Sequence, residues 1–110
     1  MATLSVIAAC TPIARRTLSD AEAVDLERVF QALADRHRVK MLNILVQAGE
    51  DEVCVCDFQA ALELKQPRAS YHLKQLVEAG LVSRRRRGTY SYYRLTPDAL
   101  TRIAALFEVP

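Results

Sequence analysis

Apolar and polar positions follow a helical period over most of the first half of the chain. A Ser-x-x-Glu capping box at Ser19 opens the first helix, and an apolar face at helical spacing carries it to Leu33. A polar break at residues 35–38 leads into a second helix over residues 37–48. This helix is apolar nearly all round and is therefore expected to be central and buried, with Gly49 as its C-terminal stop.

The middle of the chain predicts a helix, a short turn and another helix. Asp57 is expected to cap a short third helix that runs through Leu64. Pro67 is well tolerated in a first helical turn and is expected to start a fourth helix, which Gly80 ends. Apolar residues form the inward face of the fourth helix and polar residues its outer face, which is the pattern of a helix-turn-helix.

A β-hairpin and a last helix are expected to complete the domain. Two strand-like segments, residues 81–86 and 90–95, are joined around Gly88, which suits a tight turn. A last helix with an apolar stripe starts after Pro97. The pattern therefore predicts a mainly α (α+β) fold, a winged helix-turn-helix with about five helices and one β-hairpin.

Length and the N-terminal residues limit the class of protein. A chain of 110 residues forms one domain, here expected over residues 19–110 behind a flexible arm of residues 1–18. No apolar run approaches the ~20 residues that a membrane-spanning helix needs. The segment Ile7-Ala8-Ala9-Cys10 faintly resembles a lipoprotein cleavage site, but no basic residue precedes it. We therefore expect a cytoplasmic protein without a membrane partner, whose three cysteines are free thiols.

Charge along the chain points to a polyanionic partner. The net charge is only +2, but residues 64–95 carry eight basic residues and one acidic residue. Residues 18–54 lean acidic. A basic half beside an acidic half is typical of proteins that bind nucleic acid with one side.

The basic segment contains the side chains expected to contact DNA. Polar side chains of the fourth helix suit phosphates and base edges, and the four consecutive arginines of the hairpin repel one another unless phosphates neutralise them. The alternative interpretations are an ordinary solvated helix face and a basic patch that aids solubility. The candidate DNA-binding residues are Gln66, Pro67, Arg68, Ser70, Tyr71, His72, Lys74 and Gln75 on the helix, and Arg84, Arg85, Arg86, Arg87, Tyr90 and Tyr92 on the hairpin.

Cys54 and Cys56 form a candidate site for a soft metal or metalloid, because thiolates bind such ions. Residues i and i+2 of a regular helix lie about 200° apart, so a shared ion is expected to bend the backbone, and a direct disulfide would be strained. Cys10 is the remaining cysteine, and three sulfurs would suit trigonal As(III) or Sb(III). The alternatives are burial of the pair as small apolar residues, and a chance position for Cys10 in a frayed arm.

Four segments together resemble a known family. They are Glu52-Val53-Cys54-Val55-Cys56-Asp57-Phe58, Gln66-Pro67-Arg68-Ala69-Ser70-Tyr71-His72-Leu73, Glu78-Ala79-Gly80-Leu81-Val82, and Gly88 with Tyr93-Arg94-Leu95. Over roughly residues 26–107 the chain resembles the ArsR/SmtB family of metal-sensing repressors. The resemblance implies a winged helix-turn-helix homodimer, paired through its first and last helices, that releases operator DNA when a toxic metal or metalloid binds.

Departures from the family pattern bear on which ion is sensed. Arsenic-sensing members often carry a third cysteine one turn after the pair, where Gln59 stands in this chain. Some cadmium- and lead-sensing members bring N-terminal cysteines across the dimer to a similar pair, and Cys10 would act likewise as an inter-subunit ligand. The last helix has no histidine, so the zinc site of some family members is not expected there.

The sequence thus predicts a dimeric repressor that binds a double-stranded, inverted-repeat operator and is released by As(III) or Sb(III), with Cd(II) or Pb(II) as alternatives. A second alternative is a thiol redox switch at the same cysteines. An enzyme is not expected, because the chain has no Cys-x-x-Cys motif, phosphate-cradling loop or carboxylate–histidine set.

Overall fold

The structure, a computed structural model, describes residues 17–109 and contains the predicted helices and hairpin. Within these residues, three strands form one antiparallel sheet and five helices pack around it. In chain order they are α1 (Asp20–Leu33), α2 (Arg36–Ala48), β1 (Val53–Cys54), α3 (Val55–Leu62), α4 (Gln66–Glu78), β2 (Val82–Arg87), β3 (Tyr90–Leu95) and α5 (Ala99–Leu106). Residues 1–16, most of the predicted arm, lie outside the described part of the chain. The boundary between the arm and the domain therefore stays a prediction.

Side chains cap the first two helices, the first of them through the predicted capping box. The Ser19 Oγ accepts a hydrogen bond from the Glu22 backbone N–H at 3.2 Å, and the Ser19 N–H donates to the Glu22 carboxylate at 3.1 Å. Asp35 caps α2 by accepting from the N–H groups of His37 and Arg38 at 2.8 and 3.2 Å. Both caps satisfy backbone donors that a helix start leaves unpaired, so they fix where α1 and α2 begin.

The hydrophobic core lies between α2, α3, α4 and the sheet. Phe58 of α3 is fully buried, and its ring meets that of Tyr93 edge-on with centroids 6.3 Å apart. The other fully buried large side chains are Met41, Leu45, Leu73, Leu76, Leu81, Leu106 and Val29. The predicted central helix α2 buries Met41, Leu42 and Leu45, but its apolar surface is not wholly covered, because Val39 and Val46 are 53% and 51% exposed. Within residues 17–109, no helix has the length and apolar character needed to cross a bilayer.

The sheet differs from the prediction by one short strand. Val53 and Cys54 of β1 pair with Tyr93 and Tyr92 of β3, so β3 lies between β1 and β2. β2 and β3 form the wing, and their turn places Gly88 at a φ of 63°, a conformation that residues with a Cβ rarely adopt. Strand β1 therefore connects Cys54 directly to the wing through its backbone pairing with β3.

Candidate functional site

Cys54 stands at the N-terminal end of α3 as its capping residue. Its backbone is extended, with φ −69° and ψ 146°, and its Sγ accepts a hydrogen bond from the Cys56 N–H at 3.2 Å. The predicted cap at Asp57 is therefore wrong, and Asp57 lies inside the first turn. The helix starts earlier because β1 ends at Cys54, which fixes that residue in an extended conformation.

The two sulfurs of Cys54 and Cys56 lie together without any bend in α3. The structure joins them as a disulfide, and their Cα atoms are 5.1 Å apart, a separation common for bonded cysteines. The expectation that a shared ligand must bend a helix does not apply here, for one reason. Cys54 precedes the helix, so the angle of about 200° between residues two apart in a helix does not apply. The two sulfurs therefore lie side by side at the N-terminus of α3.

The cysteine pair would supply two sulfur ligands to a bound metalloid. Within residues 17–109, no group of three or more His, Cys, Asp or Glu side chains is arranged to hold a metal ion. Cys10, the predicted third ligand, lies outside those residues. Cys54 is buried and Cys56 is exposed, so an ion could reach the pair from the side of Cys56. The donor set therefore fits two of the three positions that trigonal As(III) or Sb(III) needs.

The outer face of α4 carries most of the side chains predicted to contact DNA. Gln66, Pro67, Arg68, Tyr71 and Lys74 are exposed. The two further residues Ser70 and Gln75 are half-buried, and the Gln66 side-chain amide donates to the Ser70 hydroxyl at 2.9 Å. This exposed polar face lies beside the wing and shares a cleft with it, in which residues of α4 and of β3 face one another.

His72 is the exception, and the prediction that it faces DNA is wrong. His72 is only 4% exposed and lies on the buried face of α4, together with Ala69, Leu73 and Leu76. Arg38 of α2 donates through Nη1 to the His72 Nδ1 at 3.1 Å and through Nε to the Ala32 carbonyl at 2.7 Å. His72 thus helps to seat α4 on α2, and its buried Nε2 has no hydrogen-bond partner among the described residues.

Burial lowers the pKa of His72 from its ordinary value of 6.5, because the charged imidazolium loses solvation. The Asp35 carboxylate opposes this lowering of the pKa, while Arg38, His37 and Arg68 add to it. Below pH 6.5 the unfolded chain therefore binds a proton that the folded protein resists. We expect the free energy of unfolding to fall as the pH drops below 6.5 toward the lower pKa of the folded protein. The slope cannot exceed about 1.4 kcal/mol per pH unit for one group.

Urea unfolding of the wild type and of His72→Gln at pH 7.5 and 5.5 measures this loss of stability. The variant should lose less stability than the wild type between the two values. Asp35 does not interfere in this range: its partial burial opposes ionisation, but hydrogen bonds from the Arg38 and His37 N–H groups hold the pKa of its carboxyl below the ordinary 3.8. His37→Gln is the matched control and should keep most of the pH dependence, because burial of His72 and not the neighbouring His37 is the main cause of the shift. An unchanged pH dependence in His72→Gln would contradict the assignment.

The wing places its four consecutive arginines on two faces. Side chains alternate along β2, and Arg84 donates from Nε to the Ser91 hydroxyl at 3.1 Å in the cleft beside α4. Arg85 and Arg87 face the other way and meet Glu52, while the Arg87 guanidinium also lies 4.3 Å from the ring centre of Tyr92. All four arginines and Tyr90 are exposed, and Tyr92 is half-buried.

Sequence reasoning missed Glu52, Asp35 and Arg38 as partners of the candidate site. Each acts across a long stretch of chain: Glu52 and Arg85 are 33 positions apart, and Arg38 and His72 are 34 apart. No local pattern links residues at such separations. The burial of His72, by contrast, had a signal, because positions 69, 72, 73 and 76 share one face of a helix.

Known regulatory proteins are similar to this chain in sequence. A sequence model of the arsR family of bacterial regulatory proteins matches residues 35–84. The arsenic resistance transcriptional regulator ArsR1 of Pseudomonas putida is 46% identical over 80 residues, which are 73% of this chain and 61% of that protein, so the chain spans about three fifths of its length. The arsenical resistance operon repressor of Bacillus subtilis is 42% identical over 72 residues, which are 66% of this chain and 67% of that protein.

A solved structure shows the same architecture. It is the homodimeric winged helix-turn-helix DNA-binding domain of a possible ArsR-family transcriptional regulator from Mycobacterium bovis, with a TM-score of 0.64 and 35% identity over 83% of this chain and 84% of that one. This likeness confirms the predicted winged helix-turn-helix. The family and both relatives are transcriptional regulators and not enzymes, in agreement with the prediction from the sequence. The chain belongs to the arsR family of bacterial regulatory proteins.

Proposed function

We propose that this chain is a metalloid-responsive repressor whose helix α4 reads operator DNA. Residues 67–75 would enter the major groove, and residues 84–92 of the wing would lie along the flanking backbone. Support comes from the exposed polar residues of α4, from the exposed arginines beside them, and from the cleft that joins the two. Buried His72 is excluded from this surface and has only a positioning role.

The same proposal includes a homodimer that pairs through α1 and α5. Apolar side chains are exposed on α1 and directly after α5: Val24 and Phe30 are 44% and 39% exposed, and Phe107, the C-cap of α5, is 50% exposed. The rings of Phe30 and Phe107 meet with centroids 5.8 Å apart, so they form one apolar surface. A second copy would bury it, and the homodimeric state of the Mycobacterium bovis domain supports pairing of two copies. Twofold symmetry then calls for an inverted-repeat operator.

As(III) or Sb(III) is the proposed inducer, held by Cys54 and Cys56. The observation that carries this assignment is the meeting of the two sulfurs at the cap of α3. Reduced, they would supply two thiolate ligands, and Cys10 of the partner subunit is the proposed third. The names of the arsenic-resistance relatives favour arsenic. Cd(II) or Pb(II) remains the alternative ion, which the Staphylococcus aureus relative, a cadmium resistance regulator homolog, supports.

The position of Cys54 suggests how binding at sulfur would reach DNA. Its Sγ accepts the first hydrogen bond of α3, and its backbone pairs with Tyr92 of the wing. A metalloid on this sulfur would compete with the cap, and α3 packs against both α4 and β3. Only about 1–3 kcal/mol of coupling is needed to weaken operator binding by one or two orders of magnitude.

A thiol redox switch is a second candidate, favoured by the disulfide itself. In that reaction the thiols of Cys54 and Cys56 lose two protons and two electrons as the S–S bond forms. A peroxide takes them up and is reduced to two molecules of water. Release of operator by peroxide, reversed by dithiothreitol, would then replace release by arsenite.

Titration of the reduced protein with As(III), Sb(III), Cd(II), Pb(II) and Zn(II), followed by ultraviolet thiolate absorption, tests the ligand assignment. We expect As(III) or Sb(III) to saturate at one ion per subunit. Cys54→Ser and Cys56→Ser should each lose most of the absorption change. Cys10→Ser should lose about one third of it, because one sulfur of three is removed.

The outcomes separate the candidates. An unchanged absorption in Cys10→Ser removes Cys10 from the ligand set. An unchanged absorption in both Cys54→Ser and Cys56→Ser removes the site itself. A titration in which only Cd(II) or Pb(II) saturates moves the assignment to those ions.

A further inference from the structure

Glu52 holds two arginines of the wing. One carboxylate oxygen, Oε1, accepts from Arg85 Nη2 at 2.8 Å and lies 3.5 Å from Arg87 Nη2. The Glu52 side chain is only 18% exposed, while the two arginine side chains are 62% and 56% exposed. The carboxylate is therefore fixed against the protein, and the guanidinium groups that it holds remain open to solvent.

The register of the sheet explains why Glu52 meets these two arginines and not their neighbours. Cys54 pairs with Tyr92 across β1 and β3, and Tyr92 pairs with Arg85 across β3 and β2, so these three side chains share one face. Glu52 lies two positions before Cys54 and points to the same side. Arg84 lies on the opposite face, where it bonds to Ser91.

A guanidinium that is paired with a carboxylate contributes less to DNA binding. Binding of a phosphate releases counterions in proportion to the positive charge that the phosphate neutralises. Arg85 and Arg87 share a negative partner already supplied by the protein, so a phosphate must displace the Glu52 carboxylate or bind beside it. Because both guanidinium groups are more than half exposed, DNA phosphates can reach them and compete with the carboxylate.

We propose that Glu52 competes with operator phosphates for Arg85 and Arg87 and thereby sets the DNA affinity of the wing. The inference rests on the proposed function, since it requires that the wing contact DNA. Glu52 is a positioning residue in this role: it acts on DNA only through the two arginines. Two of the four consecutive arginines are thus partly neutralised before DNA binds.

Operator binding by Glu52→Gln, measured by fluorescence anisotropy from 50 to 300 mM salt, tests the proposal. Loss of the carboxylate should tighten binding about three- to tenfold at low salt, because two subunits each regain about one positive charge. The plot of log K against log salt should become steeper by about 2 for a dimer. Glu50→Gln is the matched control, because the substitution removes the same charge from an exposed side chain. In the structure, Glu50 forms no ion pair with any of residues 17–109.

Two outcomes overturn the proposal. One is weaker operator binding by Glu52→Gln, which would mean that the carboxylate orders the arginines for DNA. The other is an equal effect of Glu50→Gln, which would reduce the effect to net charge. Glu52→Asp keeps the charge and should restore binding close to the wild type.

Further variants separate this inference from the proposed function. Arg86→Gln alters a wing arginine that forms no ion pair with Glu52 within residues 17–109. A salt slope unchanged in Arg86→Gln would remove the wing from the DNA surface. A lower slope in Arg86→Gln with no effect of Glu52→Gln would sink the Glu52 proposal alone. Should Glu52→Gln fold poorly, Arg85→Gln tests the same competition. It should weaken operator binding less than Arg86→Gln does, because Arg85 is already partly neutralised. An equal or greater loss of operator affinity in Arg85→Gln would contradict the proposal.

Discussion

Phe58→Ala is expected to lower the free energy of unfolding by about 3–5 kcal/mol, the largest stability effect that the structure predicts for one substitution. Phe58 is fully buried and packs edge-on against Tyr93, so its removal leaves a cavity between α3 and the wing. The change also removes the contact that fixes the helix of the cysteines against β3. Urea unfolding at one fixed protein concentration measures the loss, since a dimer is stabilised by concentration.

Val46→Ala is the control for this substitution. Val46 is 51% exposed on α2, and its replacement should change the free energy of unfolding by less than about 0.5 kcal/mol. A loss in Phe58→Ala no greater than in Val46→Ala would contradict the position of Phe58 at the centre of the core.

Cys54→Ser and Cys56→Ser are expected to bind operator with nearly normal affinity but to lose the response to arsenite. In the wild type, a coupling of about 1–3 kcal/mol would weaken operator binding by roughly 5- to 150-fold when arsenite saturates the site. The variants should show less than a twofold change. Serine is a good helix cap, so Cys54→Ser should keep the start of α3 intact.

Cys10→Ser serves as the graded control, with a weaker arsenite response than the wild type. Release of operator by arsenite from both Cys54→Ser and Cys56→Ser would show that the inducer acts elsewhere. Release by peroxide alone would favour the redox switch.

Periodic patterns with strong local signals were predicted correctly from the sequence. The Ser19 capping box, the Pro67 start of α4 and the Gly88 turn each act through their immediate neighbours, so the structure reproduces them within a residue or two. The winged helix-turn-helix follows from these local signals and their order. No long-range contact was needed to predict it.

The parts that the sequence did not predict depend on contacts between distant segments. Strand β1 is only two residues long, too short for an alternating pattern, and it forms because β3 offers it a partner. That pairing makes Cys54 the cap of α3 in place of Asp57 and brings the two sulfurs together. The contacts of Glu52 with the wing arise in the same way.

The central claim is that sulfur coordination at Cys54 and Cys56 opposes operator binding, and linkage makes it measurable from the side of the inducer. The most direct test is the arsenite affinity of the free protein and of its operator complex, both followed by thiolate absorption at one salt concentration. We predict that the operator complex binds arsenite more weakly, by the same factor by which arsenite weakens operator binding. Equal arsenite affinities in the two states would contradict the account.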